Sequence, residues 1–125
     1  MNDTMLLDVG NRIHDEFETW WTDLSVEQQA ALSARVELLA ANGPSLGRPA
    51  VDRIHMSRHQ NMKELRTAQD GALRVLFIFD PRRHAILLLG GDKSGRWNDW
   101  YAEAVPVADA LYDEYLEELS KEAQA

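Results

Sequence analysis

The spacing of apolar residues changes in this 125-residue chain at the turn-rich segment Gly43-Pro44-Ser45-Leu46-Gly47-Arg48-Pro49, and that change constrains the fold more than any other feature. Before it, apolar residues recur every three or four positions, as on one face of a helix. After it the spacing moves toward two, the period of a strand. Helices first and strands later make an α+β domain rather than an alternating βαβ one.

The helical half divides in two. Phe17, Trp20, Trp21 and Leu24 lie at i, i+3, i+4 and i+7, which predicts a short helix over His14–Leu24. Ser25-Val26-Glu27-Gln28 then has the form of a capping box, in which the Ser side chain takes an orphan N–H and Gln28 reaches back. Leu32, Val36 and Leu39 share the face that follows, and Asn42-Gly43-Pro44 closes the helix, because proline cannot continue it. This predicts a helix over Ser25–Ala41. Ahead of both, Leu6, Leu7, Val9 and Ile13 suggest a short edge strand, interrupted by Gly10 and Asn11.

Three strands are predicted after the connector: Met62–Thr67, Leu73–Phe79 and Ala85–Gly90, the last two rich in β-forming and apolar residues. Gln69-Asp70-Gly71 and Asp80-Pro81-Arg82-Arg83 separate them with hairpin turn chemistry, so an antiparallel meander is expected. Val107, Leu111, Tyr115 (or Leu116) and Leu119 return to helical spacing and predict a C-terminal helix whose other face is acidic. No repeat or second domain is visible, so residues 1–125 are read as one domain.

Composition narrows the class. There is no cysteine, which removes disulfides, thiolate nucleophiles and Cys-ligated metals. No apolar run reaches the ~18 residues of a membrane span, and Asp3 and Asp8 stand where a signal peptide would be basic, so a cytoplasmic protein is expected. The net charge of −8 argues against an anionic partner only until its distribution is considered. Residues 48–97 hold ten bases against five acids, which leaves the rest of the chain at −13. A cationic site on an acidic body is the expectation, since local potential governs an anionic ligand more than net charge does.

Several motifs invite chemistry and fail on inspection. His55 and His59 stand at i, i+4, but the glutamate of a zinc-protease helix is missing and the segment has loop or strand character. Gly90-Gly91-Asp92-Lys93-Ser94-Gly95 lacks the spacing of a phosphate-binding loop, and no Gly-x-Ser-x-Gly elbow occurs. No metal or cofactor is therefore expected. What remains is a set of cations on neighbouring strands, Lys63, Arg66, Arg74 and Lys93, with Tyr101 and flanked by Trp97 and Trp100. Converging cations suit a phosphate that gains charge in its transition state, and nearby aromatics can stack an unpaired base. Each strand arginine taken alone is more often surface decoration.

The strings Gly43-Pro44-x-Leu46-Gly47-Arg48-Pro49, Met62-Lys63-Glu64-Leu65-Arg66, Leu73-Arg74-Val75-Leu76-Phe77, Phe79-Asp80-Pro81-Arg82, Leu87-Leu88-Leu89-Gly90-Gly91-Asp92-Lys93 and Trp100-Tyr101 resemble the phage-derived, HigB-like branch of the RelE/ParE toxin superfamily. The resemblance runs from about Phe17 to Leu119 with the motifs in order. It implies an α+β fold of an N-terminal strand, two helices, a three-stranded antiparallel meander and a C-terminal helix. It also implies a type II toxin that cleaves mRNA on the translating ribosome without a metal and is silenced by a cognate helix-turn-helix (HigA-like) antitoxin. On that resemblance Arg74 is the phosphate-binding arginine, Lys93 the basic residue of the last strand, and Tyr101 the C-terminal tyrosine. Lys63 and Arg66 occupy the strand that carries catalytic bases, though alternation can put them on opposite faces. Arg82, Trp97 and Trp100 are the candidate substrate-binding residues beside them. The superfamily also contains DNA gyrase poisons that cleave nothing, and a decayed toxin that only binds its antitoxin is a third reading.

Overall fold

The computed structural model describes residues 12–13, 15–67, 73–92 and 97–124. Its elements are β1 (Arg12–Ile13), α1 (Asp15–Thr22), α2 (Val26–Asn42), a 3₁₀ turn (Gly43–Ser45), β2 (Val51–Arg53), β3 (Lys63–Arg66), β4 (Leu73–Phe79), β5 (Ala85–Asp92) and α3 (Trp97–Gln124). The sheet order is β1-β5-β4-β3-β2. Strands β2 to β5 pair antiparallel, and β1 lies parallel to β5. The expected α+β order of strand, two helices, meander and helix is therefore present, with β2 as an added outer strand. The part of the expected N-terminal strand before Arg12 and the turn Gln69-Asp70-Gly71 lie outside the described residues.

Helix α2 begins where its cap dictates. The Ser25 hydroxyl accepts the Gln28 N–H at 3.1 Å, and the Gln28 side chain accepts the Ser25 N–H at 3.0 Å. At its other end Gly43 adopts φ +61° and donates its N–H to Leu39 O, closing the helix in a conformation that suits glycine.

The sheet is covered on both faces, which is why β4 reads as one apolar run instead of an alternation. Leu65, Val75, Phe77 and Leu87 face α1 and α2, against Phe17, Trp21, Leu32, Val36 and Leu39. Met62, Leu76, Ile78, Ile86 and Leu88 face α3, against Trp100, Ala104, Val105, Ala108, Leu111 and Tyr112.

Helix α3 is longer than the periodicity after Val107 predicts, because its first nine residues precede Pro106. A proline inside a helix removes one hydrogen bond and costs about 3 kcal/mol. Burial of Trp100, Ala104 and Val105 offsets that cost, at roughly 25 cal/mol per Å² of apolar surface. Val107 itself is exposed; the buried stripe runs through Ala104, Ala108, Leu111 and Tyr112. A second difference lies in β5. Leu76 pairs Leu89 while Phe77 pairs Leu87, so Leu88 is an extra residue in a bulge. Alternation from Leu87 would put Leu89 with Phe77, but the bulge sends both Leu88 and Leu89 toward α3.

Candidate functional site

Pairing across β2, β3, β4 and β5 gathers charge at one end of the α3-facing side. Arg66 pairs Arg74, Asp52 pairs Glu64, and Arg74 pairs Gly91. Two arginines opposite one another on antiparallel strands repel, so each needs a carboxylate. Arg74 Nε lies 3.4 Å from Glu64 Oε1, and Arg66 Nη1 lies 3.7 Å from Asp52 Oδ2. Arg48 reaches the same Asp52 oxygen at 3.2 Å. Tyr101, from the first turns of α3, closes the cluster by donating its hydroxyl to Glu64 Oε1 at 2.6 Å.

The site is largely enclosed. Arg74 is 4% exposed and Glu64 6%, so the exposed strand arginine expected from the meander is a buried ion-pair member. Its Nη1 also donates to Leu73 O at 3.0 Å. Burial, reinforced by the bond to Glu64 and its charge, pushes the Tyr101 hydroxyl up to about 12 against the opposing pull of Arg74. Tyr101 therefore keeps its proton at neutral pH and acts as a donor. Burial would raise the Asp52 carboxyl, but the Arg53 N–H and the Arg48 and Arg66 guanidiniums outweigh it and hold the group below its usual range.

The other expected site residues are more dispersed. Lys63 sits three positions from Arg66, which is odd parity on a strand, so it points to the α1/α2 side. There its Nζ lies 5.7 Å from the centre of the Phe79 ring, beside a shallow cavity of about 230 Å³ lined with Arg48 and Arg53. Lys93 is outside the described residues. Trp97 starts α3, and its side chain is not described. Trp100 is buried with its indole edge-on to Tyr101 at 5.0 Å. It rests on Gly91, where any Cβ would overlap the indole, while Trp20 does the same to Gly90 from the opposite face. The Gly90-Gly91 pair thus answers two tryptophans pressing on one strand. Arg82 is in the β4–β5 turn at the other end of the sheet, near Asp80 and with Nη2 3.3 Å from the Tyr115 hydroxyl.

Glu64 is the site residue that sequence reasoning missed. Its signal was available: in Met62-Lys63-Glu64-Leu65-Arg66 it shares parity with Arg66 and Met62, whereas Lys63 does not.

His59 is occupied elsewhere. Its Nε2 meets Asp113 Oδ1 at 2.9 Å, and Ser57 Oγ and the Arg58 N–H bond to buried Asp109, tying the loop before β3 to α3. Among the described residues no group of three or more His, Asp or Glu side chains is placed to hold a metal ion. No helix among them is long and apolar enough to cross a membrane.

A helix pair and a terminal helix enclosing a mainly antiparallel sheet, with an arginine and a tyrosine meeting at one end, define a RelE-type architecture. Residues 19–113 match the phage-derived Gp49-like proteins, and the chain belongs to that HigB-type family. It is 46% identical over 101 residues to a Mycobacterium tuberculosis protein named "Putative toxin HigB3", covering 81% of this chain and 88% of that one. It is 43% identical over 104 residues to "Putative toxin HigB2" of the same organism, covering 82% of this chain and 52% of the relative.

Proposed function

We propose that this chain is the toxin of a type II toxin–antitoxin system and that it cleaves mRNA on the translating ribosome. The observation that carries the reading is the Glu64–Arg74–Tyr101 cluster. Cleavage of RNA by its own 2′-hydroxyl needs a base for that proton, cations for the charged phosphorane and an acid for the leaving 5′ oxygen. Glu64 is the acceptor, Arg74 with Arg66 the cations, and Tyr101 the donor. A phenol held near 12 still gives its proton to an alkoxide, whose conjugate acid lies near that of water, ~15.7. The phosphate replaces Glu64 as the partner of Arg74, which releases the carboxylate as the 2′-hydroxyl arrives. Lys93 adds a further cation. A helix-turn-helix antitoxin silences the protein by covering this end of the sheet.

Burial of Arg74 is the one observation that favours a rival, a gyrase-binding module in which the same cluster is only structural. Purified protein on programmed ribosomes separates the two. Cleavage should persist with a chelator that leaves ribosomal magnesium in place. Glu64→Gln and Arg74→Lys should each lower it by roughly 10²–10³, as removal of a single transition-state donor does. Growth arrest undiminished in both variants, with gyrase supercoiling inhibited instead, would replace the nuclease reading with the rival.

A further inference from the structure

A cavity of about 350 Å³ opens at the far end of β4, lined in part by His59, Gln60, Asn61, Phe79, Pro81 and Tyr112. Asp80 is six positions beyond Arg74 along the chain, which is about 20 Å at ~3.3 Å per residue. The cavity is therefore distinct from the Glu64–Arg74–Tyr101 cluster. Its size falls at the low end of ligand sites, ~300–1,000 Å³, where a single heterocycle fits better than a peptide segment.

Its chemistry is as specific as its size. The His59 imidazole stands edge-on to Tyr112 at 4.9 Å, and Pro81 adds an exposed ring, whereas the Phe79 ring lies on the other face of the sheet against Phe77 and beneath Lys63. Gln60 and Asn61 are exposed carboxamides, each with a donor and an acceptor side by side, the pattern that reads a base edge in two hydrogen bonds. The adjoining turn is rigid. Asp80 is buried, and its Oδ1 accepts the N–H groups of Arg82 at 2.9 Å and His84 at 2.8 Å. Its Oδ2 accepts the Tyr115 hydroxyl at 2.6 Å. Burial would raise this carboxyl, but those bonds prevail and hold it ionised. Arg82 and Arg83 follow Pro81 in the turn, both exposed, with the Arg82 guanidinium near Asp80 and the Tyr115 hydroxyl.

We propose that this cavity is a nucleobase subsite, which takes one unpaired base of single-stranded RNA against its rings, with Gln60 and Asn61 on the base edge and Arg82 and Arg83 at the flanking phosphate. The inference rests on the RNA reading for the identity of the ligand. It extends that reading by placing a recognised base a few nucleotides from the scissile phosphate, and it gives Arg82 a role so far from Arg74. A basic side chain of a protein partner is the other class of occupant, and the two arginines repel it.

The subsite is tested by NMR on the intact protein, following the side-chain amides of Gln60 and Asn61. The probes are the four ribonucleoside 5′-monophosphates, short single-stranded RNA oligonucleotides and ribose 5-phosphate. At least one base should shift both amides, ribose 5-phosphate should not, and Asn61→Ala should weaken the effective nucleotide about tenfold, the equivalent of ~1.4 kcal/mol. Gln60 and Asn61 are exposed, so these variants should stay folded. On ribosomes, Asn61→Ala should flatten the preference among cleavage positions. No shift at either amide, equal shifts from ribose 5-phosphate, or unchanged binding by Asn61→Ala overturns the subsite. Base-dependent shifts in a wild-type protein that cleaves nothing would uphold the subsite and reject the nuclease reading.

Discussion

Replacing Arg74 with methionine removes the guanidinium but keeps much of its aliphatic bulk, and it leaves Glu64 as a carboxylate 6% exposed with Tyr101 as its neutral partner. Breaking a buried ion pair from one side costs about 3–5 kcal/mol, because the surviving charge is left without compensation. The whole domain is held by only ~5–15 kcal/mol, so this single change removes a large part of it. At roughly 2–8 °C per kcal/mol for chains near this length, the melting temperature should fall by about 10 °C or more. Glu64→Gln exposes the converse problem, a buried cation, while preserving an acceptor for Tyr101. The double variant should be less destabilised than the sum of the two, with a coupling of about 0.5–3 kcal/mol. Urea denaturation of the four proteins supplies the cycle. Arg74→Met within ~0.5 kcal/mol of the parent, the range of ordinary surface changes, would refute the buried-pair argument. The same reasoning makes Arg74→Lys, which keeps the charge, the better variant for activity.

Phe77 is fully buried between α1, α2 and the sheet, and Phe77→Ala should cost about 3–5 kcal/mol, seen as a lower denaturation midpoint at an unchanged slope. Gly91→Ala forces the Trp100 indole to move and should cost about 1–3 kcal/mol, with a red shift of tryptophan emission reporting the displaced ring. The folded Tyr101 pKa of about 12 exceeds the ordinary phenol value of ~10, so stability from this group is complete below pH ~10 and declines as pH rises toward ~12. Phenolate absorbance should therefore develop late in the native protein and normally in urea, and Tyr101→Phe should remove the latest component.

Local signals carried through wherever one short-range interaction decided the outcome. The capping box starts α2 within a residue of its predicted start, and the β-forming run 73–79 becomes β4 end to end. Where a partner distant in sequence decides, the reading stops short. Strand β2 is three residues long, with Asp52 and Arg53 in it, and exists because β3 is there to pair with it. The start of α3 lies ahead of a proline, which local rules treat as a boundary and which tertiary burial overrides. The bulge at Leu88 cannot be seen in an all-apolar run, so the facing of Leu89 had no local marker. Of the candidate site, Arg66, Arg74 and Tyr101 lie at one end of the sheet, and parity separates Lys63 from them. Beyond its parity with Arg66, Glu64 had no marker of its own, since a carboxylate in a basic string looks like charge balance.

The excess of positive charge over residues 48–97 also changes meaning once the partners are placed. Arg48 and Arg66 meet Asp52, Arg74 meets Glu64, Arg82 meets Asp80, and Arg58 meets Asp113 from the acidic helix beyond the stretch. Half of the ten bases are thus matched inside the folded chain, so this surface presents a weaker attraction to polyanions than the sequence tally implies. A protein built this way does not hold RNA by charge density alone. On the proposed reading, a phosphate gains Arg74 only by exchanging with Glu64, and that exchange is favoured where the phosphate is already positioned by something else, such as the ribosome that holds the message. The exchange also links binding to chemistry, because the carboxylate that leaves Arg74 becomes free to accept a proton just as a 2′-hydroxyl comes within reach. An acidic chain with one internally balanced arginine cluster is therefore compatible with cleaving a presented strand and poorly suited to cleaving free RNA. Free mRNA incubated with the protein at matched salt should stay intact where ribosome-bound mRNA is cut. Equal cleavage of both would show that attraction by the protein surface suffices and that the carboxylate exchange does not control the reaction.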